Sequence, residues 1–435
     1  MPSAIDTPLL RNSNFRWLLG GGLVSMLGDQ FSMLALPWLV LSLTGDSLSL
    51  GIAVALMGAP RAVLILLGGT VADRYSPRRV MLLSKYANAA ILLLLAALLL
   101  LDHASLALAY AAALALGIAS AFGIPAGTAI LPQAVPLQSL QKANGLQMGA
   151  RQLSLLAGPL LAALVLGADD GAQQTPMAAL AAAFAIDALT FLFSAWTLRQ
   201  VSLRPLAAAA AQGMWRATAA GLAMVWRDIP LRSCYAYWAV VAFFVMGPLQ
   251  VALPVLANER LHAAASLGLL MGAHGAGTLA GMLASSLGGA WLRRRFGATL
   301  LLVDAIVGCL LMALGQISTA WQGAALLAVT GMLGGYLQVA IFTWIQRRVA
   351  PAMLGRAMAL FMGIFLGLAP LSAAATGALL RHLSVGELFC GGGALLLTAA
   401  VGAALFTAIP RIAGAETNCT NDGRNKTWIR HDRQH

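Results

Sequence analysis

The chain has 435 residues, of which 60% are apolar and only 10% are charged, and its mean hydropathy is +0.82. Soluble domains carry about 25% charged residues, and disordered chains combine low hydrophobicity with high charge, so this composition excludes both classes. The formal net charge is +12, but the basic residues lie between apolar segments instead of forming one cluster. This distribution argues against a nucleic-acid partner and predicts an all-α polytopic membrane protein.

Twelve apolar runs follow one another, and each is long enough for a membrane-spanning helix, which needs about 20 residues. They cover roughly 17–42, 49–71, 79–101, 104–127, 145–167, 177–198, 231–256, 266–291, 298–317, 321–344, 357–380 and 387–409. The longest connection follows the sixth run and contains an amphipathic stretch, Met214–Trp226, which is predicted to lie along the membrane surface. We therefore expect a six-helix half at 1–198, a linker at 199–230, a second six-helix half at 231–410 and a polar tail at 411–435.

The positions of the basic residues predict the orientation. With the N-terminus placed in the cytoplasm, all lysines and arginines except Arg61, Arg151, Arg260 and Arg381 fall on inner loops or flanks. Lys85 is counted here with the inner flank of the third run. Cytoplasmic loops of membrane proteins are enriched in Lys and Arg. The sequence thus predicts that both termini lie in the cytoplasm, that the chain lies in the inner membrane, and that its inner flanks contact anionic lipid.

A weak internal repeat supports two related halves. Five positions recur at an offset of 214 residues, pairing Val135, Leu140, Lys142, Ala143 and Leu146 with Val349, Leu354, Arg356, Ala357 and Leu360. Parallel six-helix repeats are typical of transporters. No phosphate-binding loop, metal-binding motif or disulfide framework is visible in the sequence, so we expect no cofactor, no metal and no enzymatic activity.

The loop after the second run carries a family resemblance. The segment Gly69–Arg79 reads GTVADRYSPRR and resembles the signature loop between helices 2 and 3 of the major facilitator superfamily. Ser76 and Pro77 depart from the usual glycine and arginine. Other segments, such as Phe122–Ala126 and Trp226–Asp228, are similar to an efflux branch that includes macrolide and siderophore (enterobactin) exporters. The resemblance implies twelve helices in two pseudo-symmetric halves and secondary transport by alternating access.

In the family, this loop latches the two halves closed on the inner side. The resemblance assigns that role to Gly69, Asp73, Arg74 and Arg78, with Arg356 at the start of helix 11 as partner. The assignment is physically reasonable, because a carboxylate at a helix C-terminus is disfavoured by the helix dipole and needs a positive partner. The alternative is that these arginines only anchor the topology.

Helix 5 carries a second family element, which resembles a motif of the superfamily's exporters. Its residues are Gly145, Ser154, Gly158 and Pro159. Small residues let helices approach closely, and proline bends a span. The alternative is ordinary close packing that has no bearing on the direction of transport.

Ionisable residues within spans usually face a cavity or a partner. The sequence places five of them there, namely Asp29, Arg61, Arg151, Asp187 and Asp304. The helical rise puts Asp29 and Arg61 at a similar depth. We hypothesise that Asp29 is the proton-coupling carboxylate, that Arg61 or Arg151 is its switchable partner, and that Asp187 is the next candidate. The alternative is a static pair that fixes helix packing. Asp304 is expected nearer the inner surface, against loop arginines.

The sequence therefore predicts a monomeric, proton-coupled exporter of small molecules such as drugs, macrolides or siderophores. Polar candidates for the cavity in the second half are His274, Thr278, Gln250 and Gln338, and apolar candidates are Met33, Trp38, Phe243, Phe244, Met246 and Phe365. Two alternatives stay open: an importer of a small metabolite, and a membrane enzyme or assembly factor on a transporter scaffold.

Overall fold

A computed structural model describes residues 9–167, 176–203, 222–261, 264–287, 295–349 and 351–412. Within these residues the secondary structure is helical and contains no strand, and twelve helices are long and apolar enough to cross a membrane. The predicted all-α class and the number of spans are therefore confirmed.

The helices alternate in direction along the chain. The first six are α1 (Ser13–Thr44), α2 (Ser47–Arg74), α3 (Pro77–Leu100), α4 (Leu106–Ala134), α5 (Leu140–Leu166) and α6 (Met177–Arg199). The next is α7, which runs over Ile229–Gly247, passes through a π-helical turn at Pro248–Ala252 and ends with Leu253–Glu259. The last five are α8 (Ala264–Leu287), α9 (Phe296–Leu314), α10 (Ala320–Arg348), α11 (Pro351–Leu379) and α12 (Val385–Phe406). We call the side where α1 begins proximal and the opposite side distal.

Three helices extend clearly beyond the predicted apolar runs, all on the proximal side. Helix α4 continues to Ala134, α5 begins at Leu140 and α11 begins at Pro351. Hydropathy marks the apolar slab of the membrane, whereas backbone hydrogen bonds carry a helix past it. Most of the amphipathic stretch Met214–Trp226 and of the polar tail lies outside the described residues.

The two halves repeat the same pattern of helix packing. In the first half α2 packs on α4, α3 on α6 and α1 on α5, and in the second half α8 packs on α10, α9 on α12 and α7 on α11. Between the halves, α2 packs on α11 and α5 packs on α8. Each pair in one half has its counterpart six helices later, which gives the fold its pseudo-symmetry.

Glycines bring the halves into close contact on the distal side. A Cβ added to Gly268 of α8 would lie 2.2 Å from the Cβ of Ala163 in α5, and one added to Gly51 of α2 would lie 2.7 Å from the Ala373 carbonyl oxygen in α11. By contrast, Gly363, in the proximal part of α11, has no described atom within 4 Å of such a Cβ. The halves thus meet at their distal ends, and α5 and α8 also meet deeper in the bundle, where Gln152 Nε2 donates to the Met282 sulfur at 3.0 Å.

A two-residue link joins α1 to α2 on the distal side. Gly45 has a left-handed backbone (φ 61°), and its N–H donates to the Leu41 carbonyl at 2.8 Å, which ends α1. Glycine adopts this conformation without steric cost. Asp46 then caps α2 by accepting a hydrogen bond from the Ser49 N–H at 2.9 Å. This turn fixes the Asp46 carboxylate at the boundary between the halves.

Candidate functional site

Four helices of the first half bring charged side chains together within the bundle: Asp29 of α1, Arg61 of α2, Lys85 of α3 and Asp187 of α6. We call these four residues the charge cluster. Asp187 is only 1% exposed. Its carboxylate accepts hydrogen bonds from the hydroxyls of Ser32 and Thr190. The cluster holds two carboxylates and two cations, so its formal charges balance.

Lys85 lies inside the bundle and not on an inner flank, where the sequence predicts it. It is buried, with its Nζ 3.3 Å from the Ser25 hydroxyl and 5.5 Å from the Phe191 ring centroid. Its charge acts on both Asp29 and Asp187. Helix α3 begins at Pro77, so Lys85 lies about 12 Å along the helix axis instead of at its end. The prediction that Lys85 flanks the membrane is therefore wrong.

Asp29 is the exposed member of the cluster. Its side chain and that of Met33, one turn further along α1, are both exposed. The charges of Lys85 and Arg61 act on Asp29, yet no ion pair within 4 Å joins it to another described residue. Asp29 is thus an exposed carboxylate that two less exposed cations act on.

Of the two partners predicted for Asp29, the structure brings Arg61 near and leaves Arg151 apart. Arg61 is half-buried, and its Nε has no hydrogen-bond partner among the described residues. Arg151 is exposed on α5 and is not among the charges that act on Asp29. The geometry therefore favours Arg61 and adds Lys85 as a second cation.

The surroundings of Asp304 differ from those predicted from the sequence. It is buried in α9 and faces the hydroxyl of Tyr237 in α7, because neighbouring helices of the second half close around it. Two of the loop arginines expected beside it, Arg293 and Arg294, lie outside the described residues. Asp304 belongs to the second half and is not among the charges that act on Asp29 or Asp187.

The predicted latch residues are only partly described. Arg78 donates a hydrogen bond to the Arg199 carbonyl at the end of α6, so this contact stays within the first half. Arg74 is exposed, and Arg356 donates to the Met353 sulfur at 3.1 Å. The surroundings of Gly69 and Asp73 lie outside the described residues. The latch therefore stays a prediction.

The helix-5 element is closely packed at its distal end. A Cβ added to Gly158 would lie 2.3 Å from the Gln30 Cγ of α1, and the Pro159 carbonyl approaches Gly268 of α8. The Ser154 hydroxyl donates to the Ala150 carbonyl at 3.0 Å. Gly145, near the proximal end, has no described atom within 4 Å of an added Cβ. These contacts support close packing, and the proposed link to export is not tested by them.

A narrow, largely apolar recess lies where α1, α2, α7 and α8 meet. We call it the methionine recess, because Met33, Met57 and Met271 contribute to its wall, and Ser32 and Gln250 are its polar residues. Of the predicted apolar lining, Met33 is placed here. Trp38 is instead buried in the core, Phe243 packs edge-on against Phe244, and Phe365 packs on Phe361.

Neither metal binding nor disulfide formation is indicated in the described part of the chain. No group of three His, Cys, Asp or Glu side chains there could hold a metal ion. The three described cysteines, Cys234, Cys309 and Cys390, are free. His274 lies in α8, where its carbonyl accepts a hydrogen bond from the Thr278 hydroxyl at 2.8 Å.

Twelve apolar helices in two related halves, with a charge cluster inside the bundle, define a multi-pass membrane protein of the transporter class. Comparison with known families is specific: the model of the Major Facilitator Superfamily matches residues 18–374. The chain belongs to this superfamily. It is therefore a transporter of small molecules and not an enzyme.

Individual relatives are more distant. The enterobactin exporter EntS of Shigella boydii is 25% identical over 329 residues, which are 74% of this chain and 74% of EntS. A bacterial homologue of the iron transporter ferroportin, solved in an inward-facing state, is 18% identical with a TM-score of 0.68, and 92% of this chain covers 98% of it. The D-xylose-proton symporter is 14% identical with a TM-score of 0.67, covering 91% of this chain and 96% of its own. Both structural neighbours show the same fold.

Proposed function

We propose that the protein is a proton-coupled exporter in the inner membrane, monomeric, with both termini in the cytoplasm. Its substrates would be small molecules of the drug, macrolide or siderophore kind. The 25% identity to an enterobactin exporter supports export. The distribution of arginines in the sequence supports the orientation, which makes the proximal side cytoplasmic.

The observation that carries this proposal is the accessible carboxylate of Asp29 beside buried cations. Asp29 is exposed, whereas Lys85 is buried and Arg61 is half-buried. A nearby cation disfavours protonation of a carboxylate, and separating the two favours it. A movement that shifts α1 against α2 and α3 would therefore change whether Asp29 holds a proton.

The conformation fits one step of an export cycle. The halves meet distally, and Asp29 is accessible. With the proximal side cytoplasmic, substrate enters from the cytoplasm while Asp29 is ionised. After the halves rock, substrate leaves on the distal side and a proton binds Asp29. The return movement delivers that proton to the cytoplasm, so one proton moves inward as substrate moves outward.

Proteoliposomes test this proposal. We would measure substrate-dependent proton movement with a pH-sensitive dye, using ethidium and enterobactin as probes under an imposed pH gradient. Asp29→Asn should abolish gradient-driven transport and leave downhill movement. Asp304→Asn is the matched control, because Asp304 is also a membrane aspartate but lies in the other half, and it should retain coupling.

Each outcome has a defined meaning. Gradient-driven transport that survives Asp29→Asn would contradict the role of Asp29. Protons and substrate moving in the same direction would establish symport and therefore import. Cytoplasmic accessibility of tags at both termini in intact cells would support the orientation, and external accessibility of either terminus would overturn it.

A further inference from the structure

Asp187 of α6 lies directly against the backbone of α1. A Cβ added to Gly28 of α1 would lie 2.7 Å from Asp187 Oδ1, and it would also overlap the Thr190 hydroxyl. The carboxylate therefore reaches α1 only because position 28 has no side chain. Gly28 directly precedes Asp29, so this contact brings the buried carboxylate of the charge cluster to the same level of α1 as the exposed one.

Ser32 links Asp187 to the face of α1 that carries Asp29. Its hydroxyl donates a hydrogen bond to Asp187 Oδ2. Asp29 lies three residues earlier on the same helix, and side chains with this spacing share one face with their Cβ atoms about 5–6 Å apart. A hydroxyl can accept a hydrogen bond while it donates one. The Ser32 oxygen can therefore accept from a protonated Asp29, directly or through one water molecule.

Exposure to solvent falls along these three side chains. Asp29 is exposed, Ser32 is half-buried, and Asp187 is only 1% exposed. A proton on Asp29 is therefore within reach of solvent, whereas a proton on Asp187 is closed off from it. The three side chains form a path that leads from solvent into the contact between α1 and α6.

The charges of the cluster allow a proton to move along this path. The charge of Asp29 acts on Asp187, and the charge of Lys85 acts on both. Arg61 also acts on Asp29, whereas Arg151 of α5 is not among the charges that act on either carboxylate. Two carboxylates that interact take up a proton as a pair, because a proton on either one relieves the repulsion between them. Transfer between them leaves the total charge of the cluster unchanged.

We propose that Asp187 is an internal proton store for the coupling reaction and that Ser32 passes the proton to it from Asp29. The O–H bond of protonated Asp29 breaks as a new O–H bond forms at the Ser32 oxygen, and the original hydroxyl proton of Ser32 moves to Asp187 Oδ2. Asp29 is then ionised, Ser32 is again a neutral hydroxyl, and Asp187 is a neutral acid. The reverse transfer returns the proton to Asp29. This inference rests on the proposed function for the role of Asp29.

The store protects the proton while the halves move. Asp187 lies in α6, which packs on α1 within the first half, so the store and Asp29 move together. A proton on Asp187 is out of contact with solvent and cannot return to the side from which it came. Without the store, Asp29 would still bind protons but would lose part of them before the return movement is complete.

Infrared spectroscopy of the purified full chain in lipid nanodiscs tests this inference without a substrate. A protonated carboxylic acid has a C=O stretching band that an ionised carboxylate lacks, so the growth of this band after a rapid change from pH 9 to pH 5 reports proton uptake. The Asp187→Asn spectrum, subtracted from that of the wild type, isolates the Asp187 band. Asp29→Asn identifies the Asp29 band in the same way. We expect the Asp187 band to appear after the Asp29 band.

Variants of Ser32 separate a transfer role from a structural one. Ser32→Ala should slow growth of the Asp187 band about tenfold or more, given the usual contribution of a positioned proton-transfer group, without lowering its final amplitude. Alanine is a good helix former, so this variant is expected to fold. Ser32→Thr keeps a hydroxyl and should restore the wild-type rate. Ser42→Ala is the matched control and should change neither rate nor amplitude, because the Ser42 hydroxyl donates to the Leu39 carbonyl of its own helix.

The outcomes separate this inference from the proposed function. An Asp187 band that grows as fast in Ser32→Ala as in the wild type would overturn the transfer through Ser32. Absence of an Asp187 band that depends on pH would overturn the store. Proton-coupled transport is measured separately with Asp29→Asn. A normal Asp187 band in a protein without coupled transport would therefore contradict only the exporter proposal.

Discussion

Asp46 and Arg381 form an ion pair that joins the two halves on the distal side. Arg381 Nε lies 3.1 Å from Asp46 Oδ1, and Nη2 lies 3.2 Å from Oδ2. Asp46 belongs to the α1–α2 link, and Arg381 follows α11. Distal opening must separate these groups, because α2 and α11 belong to different halves. The pair therefore stabilises the distally closed state.

We predict that Asp46→Asn favours distal opening. Asparagine keeps the cap on α2 and removes the charge, so the closed state loses only the ion pair. Labelling of a Leu50→Cys reporter by a membrane-impermeant maleimide should become roughly two- to five-fold faster, in line with an exposed pair. Leu50 suits this measurement because it is fully buried at the distal contact.

The control is Asp102→Asn, an exposed aspartate in the distal α3–α4 loop. It should leave labelling of the reporter unchanged. The charge exchange Asp46→Arg with Arg381→Asp should restore slow labelling. If the Leu50→Cys reporter is labelled as fast in the charge-exchange variant as in Asp46→Asn, the ion pair does not hold the halves together.

Distal acidification should have little effect on this pair. The Arg381 guanidinium beside Asp46 holds the pKa of that carboxylate well below its usual range. A depressed pKa gives stabilisation that is present above the ordinary aspartate pKa, about 3.9, and is lost only as the pH falls below it. Labelling of the Leu50→Cys reporter should therefore be equal at distal pH 7 and pH 5. An increase near pH 5 would contradict this electrostatic account.

We predict that Lys85→Met destabilises the protein because it removes the buried cation that acts on both Asp29 and Asp187. Removing one partner of a buried charge pair costs about 3–5 kcal/mol, which should appear as a lower melting temperature in detergent. Lys85→Met combined with Asp187→Asn should recover most of the loss. Lys142→Met, at an exposed lysine of α5, should have no effect. Failure of the double variant to recover stability would argue against charge balance.

Close packing of α5 on α8 gives a further prediction. Gly268→Ala places a methyl group against Ala163 and the Pro159 carbonyl, and overpacking of this kind costs about 1–3 kcal/mol. The melting temperature should fall accordingly. Gly149→Ala on α5 is the comparison, because an added Cβ there meets no described atom within 4 Å. Equal melting temperatures for the two variants would show that α5 and α8 can move apart to accommodate the added methyl group.

Asp228 and Arg348 should matter for stability but not for transport. Asp228 caps α7 by accepting from the Leu231 N–H at 3.0 Å, and it pairs with Arg348 of α10 at 2.9 Å. Both contacts lie within the second half, so they persist while the halves rock. Asp228→Ala should cost about 1–2 kcal/mol, as loss of a cap does, with transport retained. Asp228→Asn keeps the cap and isolates the ion pair, and a loss of transport in either variant would contradict this division.

The sequence predicted the membrane spans well because a helix in lipid must satisfy its own hydrogen bonds, which leaves length and apolarity as sufficient signals. Asp29, Arg61 and Asp187 were also predictable, since charges inside apolar runs stand out. Lys85 was not, because it lies near the polar start of α3 and resembles the flanking arginines in sequence. Arg151 resembled a partner for Asp29 only because sequence gives depth and not the face a side chain occupies. The π-helical turn that carries Gln250 was not predicted, because hydropathy does not distinguish such a turn from the α-helix on either side of it.

The brevity of the Gly45–Asp46 turn has a mechanical consequence. Only two residues separate the end of α1 from the start of α2. The two helices therefore cannot slide independently and must move together. Lengthening this turn by a few flexible residues would uncouple the movement of Asp46 from that of Asp29, which lies near the middle of α1. The two residues that end α1 on the distal side thereby couple movement at the distal boundary to movement inside the bundle.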